Sequence, residues 1–62
     1  MDKLDQIDIS ILRVLQQNGR ISNADLAERI GLSPSASSRR LDMLEKAGVI
    51  SGYYAQISHK AL

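Results

Sequence analysis

The chain has 62 residues, enough for one small domain but too few for a deep pocket. It contains no cysteine, which excludes a disulfide framework and a thiolate metal site. Hydrophobic residues make up 44% of the sequence and aromatic residues only 3%, so the core must be aliphatic. The N-terminus carries Asp2, Asp5 and Asp8 and no long apolar run. This pattern argues against a secretory signal or a membrane span and favours a cytoplasmic location.

Charge is distributed unevenly along the chain. The formal net charge is only +1, which does not by itself indicate a nucleic-acid partner. Residues 1–30 carry four basic and five acidic side chains, whereas residues 31–62 carry four basic and two acidic ones. The stretch from Gly31 to Leu41 contains no acidic residue. The second half of the chain is therefore the better candidate for contact with a polyanion.

Three helices are predicted in chain order. Apolar residues recur every three to four positions from Leu4 to Gln17, with Asp5 as the expected N-cap. Ser22 begins a second helix, which ends at Gly31. Ser33-Pro34 begins a third helix over residues 34–47, since serine caps well and proline is preorganised for the first helical position.

The segment from Val49 to Ser58 loses the helical period. With Tyr53, Tyr54 and Ile57 it is typical of an extended strand. We therefore predict a mainly α fold: a three-helix helix-turn-helix domain, winged-helix-like, followed by one C-terminal β-strand.

The short turn Gly31-Leu32-Ser33 joins the second and third helices, and the small Ala27 permits them to cross closely. This spacing is typical of a helix-turn-helix unit whose second helix enters the DNA major groove. Leu41 is expected to be the central core residue of the third helix. A scaffold whose strand docks onto a partner protein is the alternative hypothesis, because such three-helix units also occur in proteins that do not bind DNA.

The first two turns of the third helix carry the candidate base-reading residues Ser35, Ala36, Ser38 and Arg39. Arg39 is the strongest candidate because its fork can donate two hydrogen bonds to guanine. Ala36 could only touch a thymine methyl group. A solvated surface is the alternative for Arg39 and for the serines.

The candidate phosphate contacts are Ser22, Asn23 and Arg40. Ser22 and Asn23 begin the second helix, whose free N–H groups and dipole suit a phosphate, although simple capping explains Ser22 equally well. Arg40 lies nearer the packed side of the third helix. There, a phosphate contact and an ion pair with Glu45 or another acid are equal alternatives.

Catalysis has little support in the sequence. His59 is the only histidine and has no cysteine or second histidine with which to share a metal, and no His-acid pair stands at helical or turn spacing to activate a serine. We predict no enzyme activity, no metal and no cofactor.

An ordered series of residues covering nearly the whole chain resembles the Lrp/AsnC family of transcriptional regulators. The matching residues are Leu4-Asp5, Asp8, Ile11-Leu12, Leu15, Gly19-Arg20, Ser22, Leu26-Ala27, Gly31-Leu32-Ser33, Arg40-Leu41, Leu44-Glu45, Gly48-Val49-Ile50 and Gly52-Tyr53. Two departures are mild. Ser37 stands where the family usually has a small or β-branched apolar residue, and His59-Lys60 replaces a common Asn-Pro pair.

The resemblance implies sequence-specific binding of double-stranded DNA by a homodimer or a larger even-numbered assembly. It also implies that oligomer contacts and an amino-acid effector site lie in a following α/β domain. We therefore expect residues 1–50 to form the DNA-binding domain, and residues 51–62 to form a strand or hinge leading to an effector-binding domain that this sequence lacks. Two recognition helices should then lie about 34 Å apart, one turn of DNA.

Overall fold

The computed structural model describes residues 3–62; Asp2, counted above among the acidic N-terminal residues, lies outside them. Over that range the chain forms helix α1 (Gln6–Gln17), helix α2 (Asn23–Ile30), helix α3 (Pro34–Lys46) and a short 3-10 helix (His59–Ala61). The predicted three-helix arrangement is confirmed. None of the helices within residues 3–62 has the length and apolar character needed to cross a membrane.

Side-chain caps fix where each helix begins. At α1, the Asp8 N–H donates to Asp5 Oδ1 at 2.8 Å, and the Asp5 N–H donates to Asp8 Oδ2 at 3.2 Å. This reciprocal capping box satisfies two backbone donors that helix geometry leaves free. Ser22 Oγ accepts from the Asp25 N–H at 3.1 Å, and Ser33 Oγ accepts from the Ala36 N–H at 3.2 Å.

The turn between α2 and α3 depends on Gly31, which adopts a left-handed conformation with φ 84°. A side chain at this φ would be strained, so glycine is the residue that fits. The N–H groups of Gly31 and Leu32 both donate to the Ala27 carbonyl at 2.9 Å. The chain therefore reverses direction within a few residues, and α3 starts beside the helix that precedes it.

The core contains one large buried aliphatic side chain from each helix, Ile11, Leu26 and Leu44, and the small Ala27 of α2, each at most 1% exposed. The partly buried side chains packed against the three large ones are Leu4, Ile7, Leu12, Val14, Leu15, Ile21, Ile30, Leu41 and Ile50. The expectation that Leu41 is the central core residue of α3 is therefore wrong. Ser37 and Leu44 lie only about 20° apart around the helix axis and define its buried line, and Leu41 lies to one side of it.

Ser37 is fully buried, and its hydroxyl forms no hydrogen bond to any residue in the described range 3–62. A buried hydroxyl without a partner loses its hydration and gains nothing in return. Ser37 is one of the two departures from the family pattern that the sequence resembles. The serine therefore weakens the core that it helps to fill.

Arg40 joins α3 to the start of α1. Its Nη1 donates to Asp5 Oδ2 and, at 3.3 Å, to Asp8 Oδ1. Asp8 is only 2% exposed, and a buried carboxylate needs such a partner. The hydrogen bond from Arg40 and that from the Asp8 N–H hold the pKa of Asp5 below its ordinary value of 3.8.

The predicted C-terminal β-strand is not formed within the described residues, where positions 51–58 are irregular and exposed. A strand needs a neighbouring strand to complete its hydrogen bonds, and the three helices offer none. The segment is instead attached to α3 by Tyr53, whose hydroxyl donates to Glu45 Oε2 at 2.7 Å. Partial burial and this bond raise the pKa of Tyr53 to about 12.

Replacing Ser37 with alanine is expected to stabilise the domain. The substitution removes the unpartnered hydroxyl and introduces the best helix former, for a gain of about 1 kcal/mol and a rise in Tm of about 4–8 °C. Thermal melts followed by circular dichroism provide the measurement. Ser38→Ala, an exposed change in the same helix, controls for helix propensity alone. A Ser37→Ala gain no larger than that of Ser38→Ala would contradict the account of the buried hydroxyl.

Replacing Asp5 with asparagine is expected to make the free energy of unfolding depend less on pH in the acid range. Because folding lowers the pKa of Asp5, its ionised form stabilises the folded state above pH 3.8, and this contribution is lost as the pH falls through the lowered pKa. Asparagine still caps the helix but does not titrate. Urea unfolding over a pH series on either side of this value measures the effect.

Asp42→Asn is the matched control, since it removes the same charge from an exposed pair with Lys46. Effects of net charge alone are then common to both variants. Curves for Asp5→Asn and wild type that run parallel through the acid range would contradict the role given to Asp5.

Candidate nucleic-acid interface

The predicted base-reading residues come together on the first two turns of α3. Ser35, Ser38 and Arg39 are exposed there, and Ala36 is half-buried beside them. Ser33 and Pro34 set the start of this helix, with the Ser35 hydroxyl 3.3 Å from that of Ser33. The structure thus presents a short surface of small polar side chains with one long cation.

Arg39 extends from this surface without an ion-pair partner among residues 3–62. Its planar guanidinium therefore retains its donors for an external acceptor. The first acid after it in the sequence, Asp42, is already paired with Lys46 at 3.0 Å. The exposed face at the start of α3 therefore carries one unpaired cation, within the part of the chain that the structure describes, together with hydroxyl groups that can donate hydrogen bonds.

The start of α2 lies directly against the start of α3. Asn23 Nδ2 donates to the Pro34 carbonyl at 2.8 Å, which links the first residues of the two helices. Asn23 Oδ1 is buried and has no hydrogen-bond partner among the described residues. Ser22, one residue earlier, is exposed and caps α2. The phosphate contacts expected of Ser22 and Asn23 stay predictions. The structure shows in addition that Asn23 links α2 to α3 through its bond to Pro34.

Arg40 occupies a different position from Arg39, although the two are adjacent in sequence. Its side chain is only 28% exposed, and the carboxylates of Asp5 and Asp8 raise its pKa. Of the two alternatives left open for Arg40, the ion pair is formed, with these two acids as the partners in place of Glu45. Within residues 3–62 these bonds use Nη1 alone, so a phosphate contact through Nε or Nη2 stays a prediction.

The acidic partners of Arg40 are the functional residues that sequence reasoning missed. The sequence predicted Asp5 as an N-cap, and the capping box that forms uses one oxygen of each carboxylate and leaves the other available. The two remaining carboxylate oxygens lie close together, and such a pair indicates a nearby cation. Identifying that cation required the fold, because Arg40 lies more than thirty positions along the chain.

The interface is made of side chains other than those that usually bind metal ions. In the part of the chain that the structure describes, His, Asp and Glu side chains do not gather in groups of three as they do around a metal ion. Its chemistry is that of exposed hydroxyl and guanidinium donors on a helix.

Comparison with known proteins gives consistent matches. The winged helix-turn-helix DNA-binding family matches residues 4–51. The leucine-responsive regulatory protein of Rhizobium meliloti is 53% identical over 60 residues, covering 97% of this chain and 38% of the relative.

Two solved structures resemble this fold closely. A Neisseria meningitidis transcriptional regulator in complex with L-Met is 51% identical, with a TM-score of 0.92 over 95% of this chain and 38% of that one. An AsnC family transcriptional regulator from Agrobacterium tumefaciens is 36% identical, with a TM-score of 0.90 over 94% of this chain and 38% of that one.

The chain spans less than half the length of these relatives, so the comparisons concern the three-helix domain. The match extends over all three helices and the turn between α2 and α3. This chain belongs to the winged helix-turn-helix DNA-binding family, and within it to the Lrp/AsnC group of transcriptional regulators.

Proposed function

We propose that this chain is the DNA-reading domain of a transcriptional regulator and binds double-stranded DNA sequence-specifically with α3 in the major groove. One observation carries the proposal: α3 begins with an exposed, acid-free face on which Arg39 stands without an ion-pair partner among residues 3–62. The bend at Gly31 and the bond from Asn23 to Pro34 hold that face away from the core.

The sizes of the side chains on this face suit direct reading of base edges. The major groove is about 12 Å wide and admits one α-helix. Ser35, Ala36 and Ser38 are small enough to let the helix backbone approach the bases. Arg39 is long enough to donate two hydrogen bonds to a guanine, and Ala36 offers a methyl group to a thymine.

Phosphate contacts beside the groove supply affinity that does not depend on sequence. We assign these contacts to Ser22 and Asn23 at the positive end of the α2 dipole. Arg40 contributes through Nε and Nη2, since its Nη1 is bound to the two aspartates. The proposal involves no enzyme activity and places the protein with the genome in the cytoplasm.

The whole protein would act as a dimer or a larger even-numbered assembly. Residues 1–50 form the DNA-binding domain in this scheme, and residues 51–62 lead toward an effector-binding domain. In support, this segment leaves large apolar side chains uncovered: Tyr54 is 86% exposed and Ile57 59%. An amino-acid effector is part of the proposal because the Neisseria meningitidis relative was solved with L-Met.

The exposed apolar residues of the C-terminal segment also favour a second candidate, a scaffold that docks onto a partner protein. The face of α3 argues against it. The buried centre of a docking face is more apolar than the surface around it, whereas Ser35, Ser38 and Arg39 are polar and exposed.

Selection from random DNA, followed by titration at several salt concentrations, tests the proposed function. We expect one enriched sequence, and an affinity that falls steeply as salt rises because phosphate contacts release counterions. Footprinting should show two half-sites about 34 Å apart. Failure to bind at low salt, or binding without sequence preference, would contradict DNA reading. One short, asymmetric footprint at saturation would contradict the paired arrangement.

Arg39→Ala is expected to weaken binding to the selected site by about 1–3 kcal/mol and to relax the preference at one base pair, because the two hydrogen bonds to guanine are lost. Lys46→Ala, which removes the same charge from the end of α3, should leave the base preference unchanged. Repeating the selection with each variant measures this. If Arg39→Ala kept every wild-type preference, Arg39 would be reassigned to phosphate or solvent.

A further inference from the structure

The carboxylates of Asp5 and Asp8 form a closed network with Arg40 at the junction of α1 and α3. One oxygen of each carboxylate accepts a backbone N–H of the capping box, and the other accepts Arg40 Nη1. All four oxygens therefore have partners. Asp8 is buried, and it lies one helical turn before the core residue Ile11. The network thus lies directly beside the buried core of the domain.

Arg40 directly follows Arg39 on α3. Its bonds to α1 therefore also hold in place the part of α3 that carries Arg39. The bonds to Asp5 and Asp8 fix where Arg40 lies relative to α1. Fixing one residue of a helix constrains both its rotation about its axis and its tilt. The direction in which Arg39 leaves α3 therefore depends on two carboxylates of another helix.

Simple electrostatics makes these carboxylates unfavourable for binding DNA. Each adds a negative charge beside a helix that must approach a polyanion, so removing one should strengthen binding to every DNA sequence. If the network also orients Arg39, removing one should weaken discrimination between sequences. On a selected site, loss of the charge strengthens binding and loss of the orientation weakens it. Comparing affinities for selected and unselected DNA therefore separates the two effects.

We infer that Asp5 and Asp8 are positioning residues for DNA reading, which hold α3, through Arg40, at the angle where Arg39 meets a base edge. This inference rests on the proposed function. The two aspartates touch no DNA in this arrangement. They increase specificity by orienting Arg39, while their negative charge lowers the affinity for every DNA sequence.

Asp5→Asn is the variant that tests the inference with least damage to the fold. Asparagine caps helices about as well as aspartate, so α1 keeps its start while Arg40 loses a charged partner. Affinities are measured for the duplex that wild type enriches from random DNA and for a scrambled duplex of the same composition. All measurements are made at a temperature where circular dichroism shows every variant folded.

A second variant separates charge from position. Asp42→Asn removes the same charge from an exposed site on α3, and should raise affinity for both duplexes by the same factor. For Asp5→Asn we expect tighter binding to the scrambled duplex and a ratio of selected to scrambled affinity about tenfold lower, as for the loss of one good base contact.

An Asp5→Asn ratio equal to that of wild type and of Asp42→Asn would overturn the inference and leave the proposed function intact. A ratio reduced equally in Asp5→Asn and in Asp42→Asn would overturn it as well, since loss of charge alone would then be the cause. A wild-type chain that does not distinguish the two duplexes would overturn the proposed function, and the inference with it.

Discussion

Burial of three aliphatic side chains, one from each helix, is the interaction on which the rest of this structure depends. Ile11, Leu26 and Leu44 meet at the centre with almost no solvent exposure. A domain of this size buries only about 60% of the surface that its unfolded chain exposes, a smaller share than larger domains bury, so few other contacts can compensate for a fault at this point. This packing holds α3 against the other two helices.

Apolar packing does not by itself fix the direction of a helix, because the hydrophobic effect has no preferred orientation. Hydrogen bonds at the helix ends supply that information. The bond from Asn23 to Pro34 links the start of α2 to the start of α3, and Arg40 links α3 to the capping box of α1. The exposed start of α3 is thus positioned by the apolar core on its inner side and by these two sets of hydrogen bonds at its edges.

The sequence by itself determined the three helices, their caps and the side of α3 that faces outward. Each of these depends on residues a few positions apart: the spacing of apolar side chains, the pair Asp5 and Asp8, the start at Ser33-Pro34 and the stop at Gly31. Helical period and capping are local properties, so they can be inferred before the fold is known. The exposure of Arg39 followed from the same reasoning.

Only the tertiary structure decided which distant groups meet. It selected Asp5 and Asp8 as the partners of Arg40, and it placed Leu44, with Leu41 to one side, at the centre of the core. It also left residues 51–58 without the predicted strand. Ion pairs, the depth of burial and strand pairing all require elements that are far apart in sequence, and a local pattern contains no information about which of them come together.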